Sequence, residues 1–309
     1  MDKKSMFYTM AAISLTIVII ATYAFYTGRV YTEKMESTQT RIETVNFFIK
    51  NIEKDLEKGA FIAGFRTILS FNQYITSNGS YVKNVDARFK EAFLNGTIDR
   101  QPLSLMAGST FTDWVNKIEV EANAVDIFFN ISIIDVKLYQ SDPWSVDIGI
   151  NFSLDIDDKK NTSRWEQNKY SVIKISILGF EDPLYVINSN GRVTNQIVKS
   201  NITDFIVYGN VSNLLTHLNS SYYIAHNDSP NFLMRLQGNV SNSTFGIESL
   251  VNLEDFQQQG ISLKDRSIVD YIYFGAQTTT DYRVNGTPFW FKMDSGHLST
   301  YQITMNMTS

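Results

Sequence analysis

The sequence predicts an α+β chain: an N-terminal transmembrane helix and helical stalk, then an antiparallel β-meander, then a mixed α+β C-terminal subdomain. Three patterns point there. Residues 5–28 carry no charge, apolar residues between 42 and 56 recur at helical spacing, and residues 145–157 alternate apolar and polar side chains. The boundaries expected from these patterns are 1–28 for a signal anchor, 29–115 for the stalk and a packing helix, 116–182 for the sheet and 183–309 for the C-terminal subdomain.

The anchor reads "SMFYTMAAISLTIVIIATYAFYTG". At 1.5 Å per residue its apolar stretch from Met6 to Tyr26 spans about 32 Å, against a hydrocarbon core of about 30 Å. Tyr8, Tyr23 and Tyr26 sit near the ends, where an aromatic belt lies. Lys3 and Lys4 precede the segment, while Arg29 and Lys34 follow it among Glu33 and Glu36, which favours a cytoplasmic N-terminus. The apolar run exceeds the h-region of a cleaved secretory signal, and no Ala-x-Ala site precedes Arg29.

From Val30 to Gly59 the chain has no proline and is rich in Glu, Lys, Thr and Gln. Ile42, Val45, Ile49, Ile52 and Leu56 follow one another at spacings of 3, 4, 3 and 4, and Met35 extends the row backwards. Such a seam serves either an amphipathic helix packed on its own domain or self-association of the N-terminal helix. A second helical stretch, residues 60–75, ends at the turn signal "TSNGS"; the potential breakers along the way are Gly28 after the membrane segment, and later Gly59 and Gly64.

In "SVDIGINFSLDID" (145–157), Val146, Ile148, Ile150, Phe152, Leu154 and Ile156 face one way, and Asp147, Gly149, Asn151, Ser153, Asp155 and Asp157 the other. Period two over thirteen residues marks a strand with one buried face. The preceding run places Val125, Ile127, Phe129, Ile131 and Ile133 together, opposite Asp126, Phe128, Asn130 and Ser132. "SDPW" (141–144) closes the first hairpin, "DDKKNTS" (157–163) the second, and "YSVIKISIL" (170–178) supplies the third strand. Pro183 in "GFEDPLY" marks the start of the C-terminal subdomain. There "TDFIVYGNVSNLLTHL" is expected as a helix capped by Thr203, and "NFLMRLQG", "SIVDYIYFG" and "DYRVNG" as strands.

Hydrophobic content of 43% and aromatic content of 13% in 309 residues suit a folded chain with a sizeable core. A net charge of −5 without a basic, aromatic-interleaved stripe excludes nucleic acid as an expected partner. With no cysteine there is no disulfide, thiolate metal site or thiol nucleophile. The triplet Asn-x-Ser/Thr occurs 13 times, at Asn78, Asn95, Asn130, Asn151, Asn161, Asn201, Asn210, Asn219, Asn227, Asn239, Asn242, Asn285 and Asn306. Chance placement of 26 asparagines and 54 serines and threonines gives about 4.5. The excess reads as glycan acceptors outside the cell, with turn chemistry, which also gathers Asn, Ser and Thr, as the other source. All of the acceptors lie beyond the apolar segment, on the side that the flanking charges assign to the exterior.

No reaction is legible. "DIDDKKNTSRWE" puts Asp155, Asp157, Asn161, Ser163 and Glu166 at calcium-loop positions, but Lys159 and Lys160 intrude, and a hydrated hairpin tip is the expected reading. His217, His226 and His297 are scattered without metal-ligand spacing, and no metal or cofactor is expected. Asp294 and Ser299 lie near His297 in "MDSGHLSTY", without a nucleophile elbow to support a triad. Glu181 and Asp182 are adjacent and point apart on an extended chain. There is no phosphate-binding glycine loop. "GTPFWFKMD" crowds Phe289, Trp290 and Phe291, which serve either as core or as an exposed binding patch for an unidentified ligand.

A Lys-bearing leader, an apolar helix running into a helical stem and a sequon-rich antiparallel sheet resemble archaeal type IV pilin-like surface proteins over roughly residues 1–180. "GFEDPLYVINSNG", "IESLVNLEDFQQQG" and "VDYIYF" resemble uncharacterised membrane-anchored archaeal surface proteins of the same layout. The resemblance implies leader cleavage after Ser5, leaving Met6 first. The expectation is a non-enzymatic, single-pass cell-surface protein, pilin-like in structure or an interaction module, with its C-terminal part extracellular and glycosylated. The alternative is a membrane-tethered glycan- or peptide-binding protein.

Overall fold

One helix, α1 (Lys3–Asn78), takes in the expected anchor, the stalk and the second helical stretch without a break at Gly28, Gly59 or Gly64. The computed structural model describes residues 3–160 and 163–309, so Asn161 lies outside the described residues. The chain is mixed α+β with antiparallel sheets. It divides into two compact units: Met1–Asp55 with Ile118–Asn130 and Leu154–Gln167, and Leu56–Lys117 with Ile131–Ser153 and Asn168–Ser309.

In the first unit the described side chains of α1 lie outside from Tyr8 onward. Every large apolar side chain described from Tyr8 to Ile42 is exposed. The helix is long and apolar enough to cross a membrane, with a mean hydropathy of 1.8 and none of that window buried. Its hydroxyls are satisfied within the helix: Ser14 donates to the Met10 carbonyl, Thr16 to Ala12, Thr22 to Val18 and Thr27 to Tyr23. Burial starts at Val45 and continues through Ile49 and Ile52, while Phe48 meets Phe129 edge-on at 6.1 Å. Of the expected seam, Val45, Ile49, Ile52 and Leu56 are buried within the one chain, whereas Met35 and Ile42 at its start are exposed. Arg41 fastens the helix: it donates to Asp158 at 2.8 Å and to the carbonyls of Val125 and Asp126 at 2.9 Å each.

The second unit receives the end of α1 through two glycines. A Cβ on Gly59 would lie 2.7 Å from the Trp114 ring, and one on Gly64 would lie 2.1 Å from Ile148 Cδ1. Glycine weakens a helix interior by about 1 kcal/mol relative to alanine, yet here only hydrogen fits between the helix and its neighbours. α2 (Val85–Asn95) is capped by the Asn84 side chain and closed by Gly96 in the left-handed region. Strands β1 (Thr97–Ile98) and β2 (Gln101–Pro102) form a short hairpin whose turn residues Asp99 and Arg100 both have positive φ. The Glu91 carboxylate accepts both of their N–H groups, which offsets the strain. α3 (Phe111–Ala124) starts from a reciprocal cap between Thr110 and Asp113. Phe89, Phe93, Phe111 and Trp114 form a continuous ring stack with centroids 5.1–5.5 Å apart.

The meander is β3 (Ile127–Asp142), β4 (Ser145–Asp158) and β5 (Arg164–Ser176), in that spatial order, and all three strands contribute to both units. β4 is central. Its first six residues are buried on both faces, so Asp147, expected outside, is 1% exposed and accepts a hydrogen bond from the Ser141 hydroxyl. Gly149 leaves room for the Tyr170 ring. In β3 the buried set shifts phase at Asp135–Val136, as an inserted residue does. The calcium-like spacing falls on strands. Asp155 and Asp157 lie in β4 and Glu166 in β5, and Lys159 and Lys160 reach Asn123 and Asp126.

Beyond Ser176 the elements are short: α4 (Pro183–Asn188), α5 (Ser212–Asn219), β6 (Tyr223–Ala225), α6 (Phe232–Leu236), β7 (Ile247–Ser249), α7 (Leu253–Gln258), α8 (Asp270–Phe274), β8 (Asp281–Arg283) and β9 (Lys292–Asp294). β6 pairs with β7 and β8 with β9, both antiparallel. Three expectations are corrected. The helix expected from Thr203 forms only at Ser212, because Tyr208 and Gly209 take positive φ. "NFLMRLQG" is a helix rather than a strand, since Asn231 accepts the Met234 N–H as an N-cap. "SIVDYIYFG" forms α8, because Asp270 at its first turn is needed inside rather than in a ladder.

That need is Arg235. Its side chain is wholly buried and lies 2.5 Å from Asp182 Oδ2 and 2.8 Å from Asp270 Oδ2. It also donates to the carbonyls of Ile247 and Pro230. Burial alone would lower the guanidinium pKa, but the two aspartates raise it, so the cation persists. Asp182 accepts further bonds from Tyr223 and Leu184, and Asp270 from Ser249 and Tyr271.

Two variants test these contacts. Gly64→Leu forces a side chain into the Ile148 contact and should lower the thermal midpoint of the detergent-solubilised chain, by about 2 kcal/mol of stability. Gly28→Leu, with nothing within 4 Å of its would-be Cβ, should not. Arg235→Met strands two buried carboxylates and should cost about 3–5 kcal/mol in urea unfolding, with partial recovery when Asp182→Asn and Asp270→Asn are added. Equal urea midpoints for Arg235→Met and the unmodified chain would refute the assignment.

Candidate functional site: a buried histidine–glutamate centre

The β6–β7 ladder pairs Ala225 with Ile247, and the His226 N–H donates to the Gly246 carbonyl at 3.0 Å. Ser249 gives its hydroxyl to Asp270 on one side of β7, and strand alternation turns Glu248 to the other. His297 enters from the turn that follows β9. There Asp294 accepts the Gly296 N–H at 3.0 Å and the His297 Nδ1 hydrogen at 2.8 Å, and is itself held by the Ser267 hydroxyl at 2.7 Å.

The three side chains converge. His226 Nδ1 lies 2.9 Å and His297 Nε2 3.2 Å from the same oxygen, Glu248 Oε2. One ligand atom from each falls within 4.8 Å of the others, the one such cluster among the described residues. The Glu248 side chain is 0% exposed and His297 6%, while His226 reaches the edge at 21%. The short distances do not bring directed bonds. Among the described residues neither Glu248 oxygen nor His226 Nδ1 has a partner in hydrogen-bond geometry. The buried Tyr301 hydroxyl is likewise unpartnered, Tyr271 Oη stands 3.1 Å from His297 Nε2, and Thr300 Oγ1 stands 3.4 Å from His226 Nε2.

Electrostatics bind the cluster without a ligand. Burial opposes the charge on Glu248, but the two histidines hold its pKa below the usual carboxylate range. Burial likewise opposes the His297 imidazolium, and Asp294 and Glu248 overcome it, raising the pKa to about 10. The approach of Glu248 raises the His226 pKa as well. Two nitrogens and a carboxylate in a largely buried cluster can hold either protons or a cation between them.

The structure thus brings together two of the three histidines that look scattered in the sequence. Asp294 does orient His297, but the Nε2 face meets Glu248 and Tyr271, while Ser299 is exposed. Glu248 escaped the sequence reading. Its one signal was a carboxylate set inside the apolar run "FGIESLV". Asp182 turns inward to Arg235, away from Glu181, as their adjacency implies. Phe289, Trp290 and Phe291 do not form one patch: Phe291 is in the core, Trp290 packs against it, and only Phe289, at 77%, is exposed, with the Arg283 guanidinium 3.9 Å over its ring. Of the twelve acceptor asparagines described, eleven are exposed and Asn151, in β4, is half-buried. Comparison with known proteins finds no matching family model, curated protein or solved structure.

His217 stays apart from the centre, buried against Phe205, Tyr222 and Tyr301, with Nδ1 3.1 Å from the Ser200 hydroxyl. Burial lowers its pKa to about 4. Between pH 6.5 and 4 the unfolded chain binds a proton that the folded chain refuses, so stability falls as pH falls through that window. The loss is about 3 kcal/mol between pH 7 and pH 4. His217→Phe should flatten this acid-side slope in unfolding midpoints recorded at pH 7, 5.5 and 4, and an unchanged slope would exclude His217 as its source.

Proposed function

We propose that the chain is a non-enzymatic, single-pass cell-surface protein, structural and pilin-like or an interaction module. The observation that carries the reading is α1: an apolar, wholly exposed stretch that continues without a break into the helix on which the folded part is packed. An exposed apolar surface of that length has no stable place in water and suits a bilayer or the helical core of an assembly. Met6–Tyr26 anchors the chain, with Lys3 and Lys4 on the cytoplasmic side and the remaining residues outside. The exposed acceptor asparagines carry glycan in that compartment. With the seam from Val45 to Leu56 buried, association between copies uses the exposed row from Tyr8 to Met35.

A membrane-tethered binding role for glycans or peptides is the second reading. The Phe289 ring stacked under Arg283 favours it, as an exposed flat platform beside a cation.

Alkaline extraction of native membranes, protease treatment of intact cells and an intact mass test the proposal together. The expected result is a chain that stays in the membrane pellet, loses its C-terminal part to external protease and carries repeated glycan increments. A mass beginning at Met6 favours the pilin-like form, and retention of Met1 or Asp2 the plain anchor. Release by alkali, or protection from external protease, would overturn the topology.

A further inference from the structure

We propose that His226, Glu248 and His297 form a site for one divalent first-row transition cation, with zinc the best match. The inference is independent of the membrane reading.

Donor chemistry selects the class. Two imidazoles and one carboxylate suit zinc and its neighbours, whereas calcium and magnesium prefer oxygen alone. Spacing agrees. Tetrahedral zinc with bonds of about 2.0–2.1 Å places neighbouring donors about 3.3 Å apart; here the two pairs that share Glu248 Oε2 stand at 2.9 and 3.2 Å, and all three donors lie within 4.8 Å of one another. Orientation agrees too. Asp294 holds His297 Nδ1–H, which presents the Nε2 lone pair to the centre, the carboxylate–histidine arrangement typical of metal ligands. Thr300 lies beside the outer nitrogen of His226 in the same way.

The independent sign is Glu248. The two imidazoles stand beside its Oε2, yet neither oxygen of this fully buried carboxylate has a partner in hydrogen-bond geometry among the described residues, which native interiors rarely keep. A cation between the imidazoles satisfies it. Tyr271 brings its hydroxyl to His297 Nε2, suited to a water in the remaining position.

The test uses the full chain without a histidine tag, in detergent, stripped by chelator and dialysed. The chain has three histidines, so the third, His217, is the one competing imidazole. Calorimetric titration with Zn²⁺ and visible spectroscopy with Co²⁺ should give one ion per chain and a Co²⁺ d–d band that Zn²⁺ displaces. His297→Ala and Glu248→Gln should remove binding, and Asp294→Asn should weaken it 10–100-fold. Circular dichroism identifies which variants remain folded. A folded His297→Ala or Glu248→Gln chain that binds as tightly as the unmodified one would overturn the proposal. Should every variant unfold, the unmodified chain decides: absence of the Co²⁺ band and of a Zn²⁺-dependent rise in thermal midpoint means the three side chains hold protons only.

Discussion

Arg235 sits where the C-terminal part of the chain has no large sheet or long helix to organise it. Its side chain joins α6, on which it lies, to the N-cap of α4 through Asp182, to the first turn of α8 through Asp270 and to β7 through the Ile247 carbonyl. Elements of three to eight residues cannot hold one another by propensity, since a helix that short is marginal without tertiary support. A charge that must be surrounded at fixed angles supplies the missing specification. The aspartates are themselves tied by Tyr223, Leu184, Ser249 and Tyr271, so few polar atoms in the knot are left over. Such a network is weak evidence for net stability but strong evidence for one arrangement over its rivals.

The histidine–glutamate centre depends on the same knot. β7 is three residues long, and Arg235 and Asp270 hold it from Ile247 and Ser249, the two neighbours of Glu248. Glu248 thereby gains a rigid mount. On the other side, Ser267 and Gly296 fix Asp294, which fixes His297. Three side chains distant in sequence meet because two supports outside the centre leave them little freedom. That is the condition a ligand site needs.

Legibility in the sequence followed the length of the periodic signal. The strict alternation of 145–157 became Ser145–Asp158, and the seam from Val45 to Leu56 became a buried helical face. Asp147 defeated the alternation because β4 is the middle strand and is covered on both sides, which no single-strand pattern can show. Gly59 and Gly64 looked like breakers, yet they are points of close approach to Trp114 and Ile148, partners that only the fold reveals. In "NFLMRLQG" and "SIVDYIYFG" the apolar runs are too short to carry either period, and the deciding residues were a cap and a buried acid. The candidate centre was the least visible part, since His226, Glu248 and His297 share no local spacing.

One detail of α1 bears on how copies of the chain would meet. Ser14, Thr16, Thr22 and Thr27 each return their hydroxyl to a carbonyl one turn back. In hydrocarbon these are the groups through which neighbouring helices usually recognise one another. Here they are already engaged, so in a bilayer these four side chains would ask for no polar companion. Any pairing in that layer would be decided by shape: by the alanines and Gly28 that let backbones draw close, and by the large apolar side chains that keep them apart.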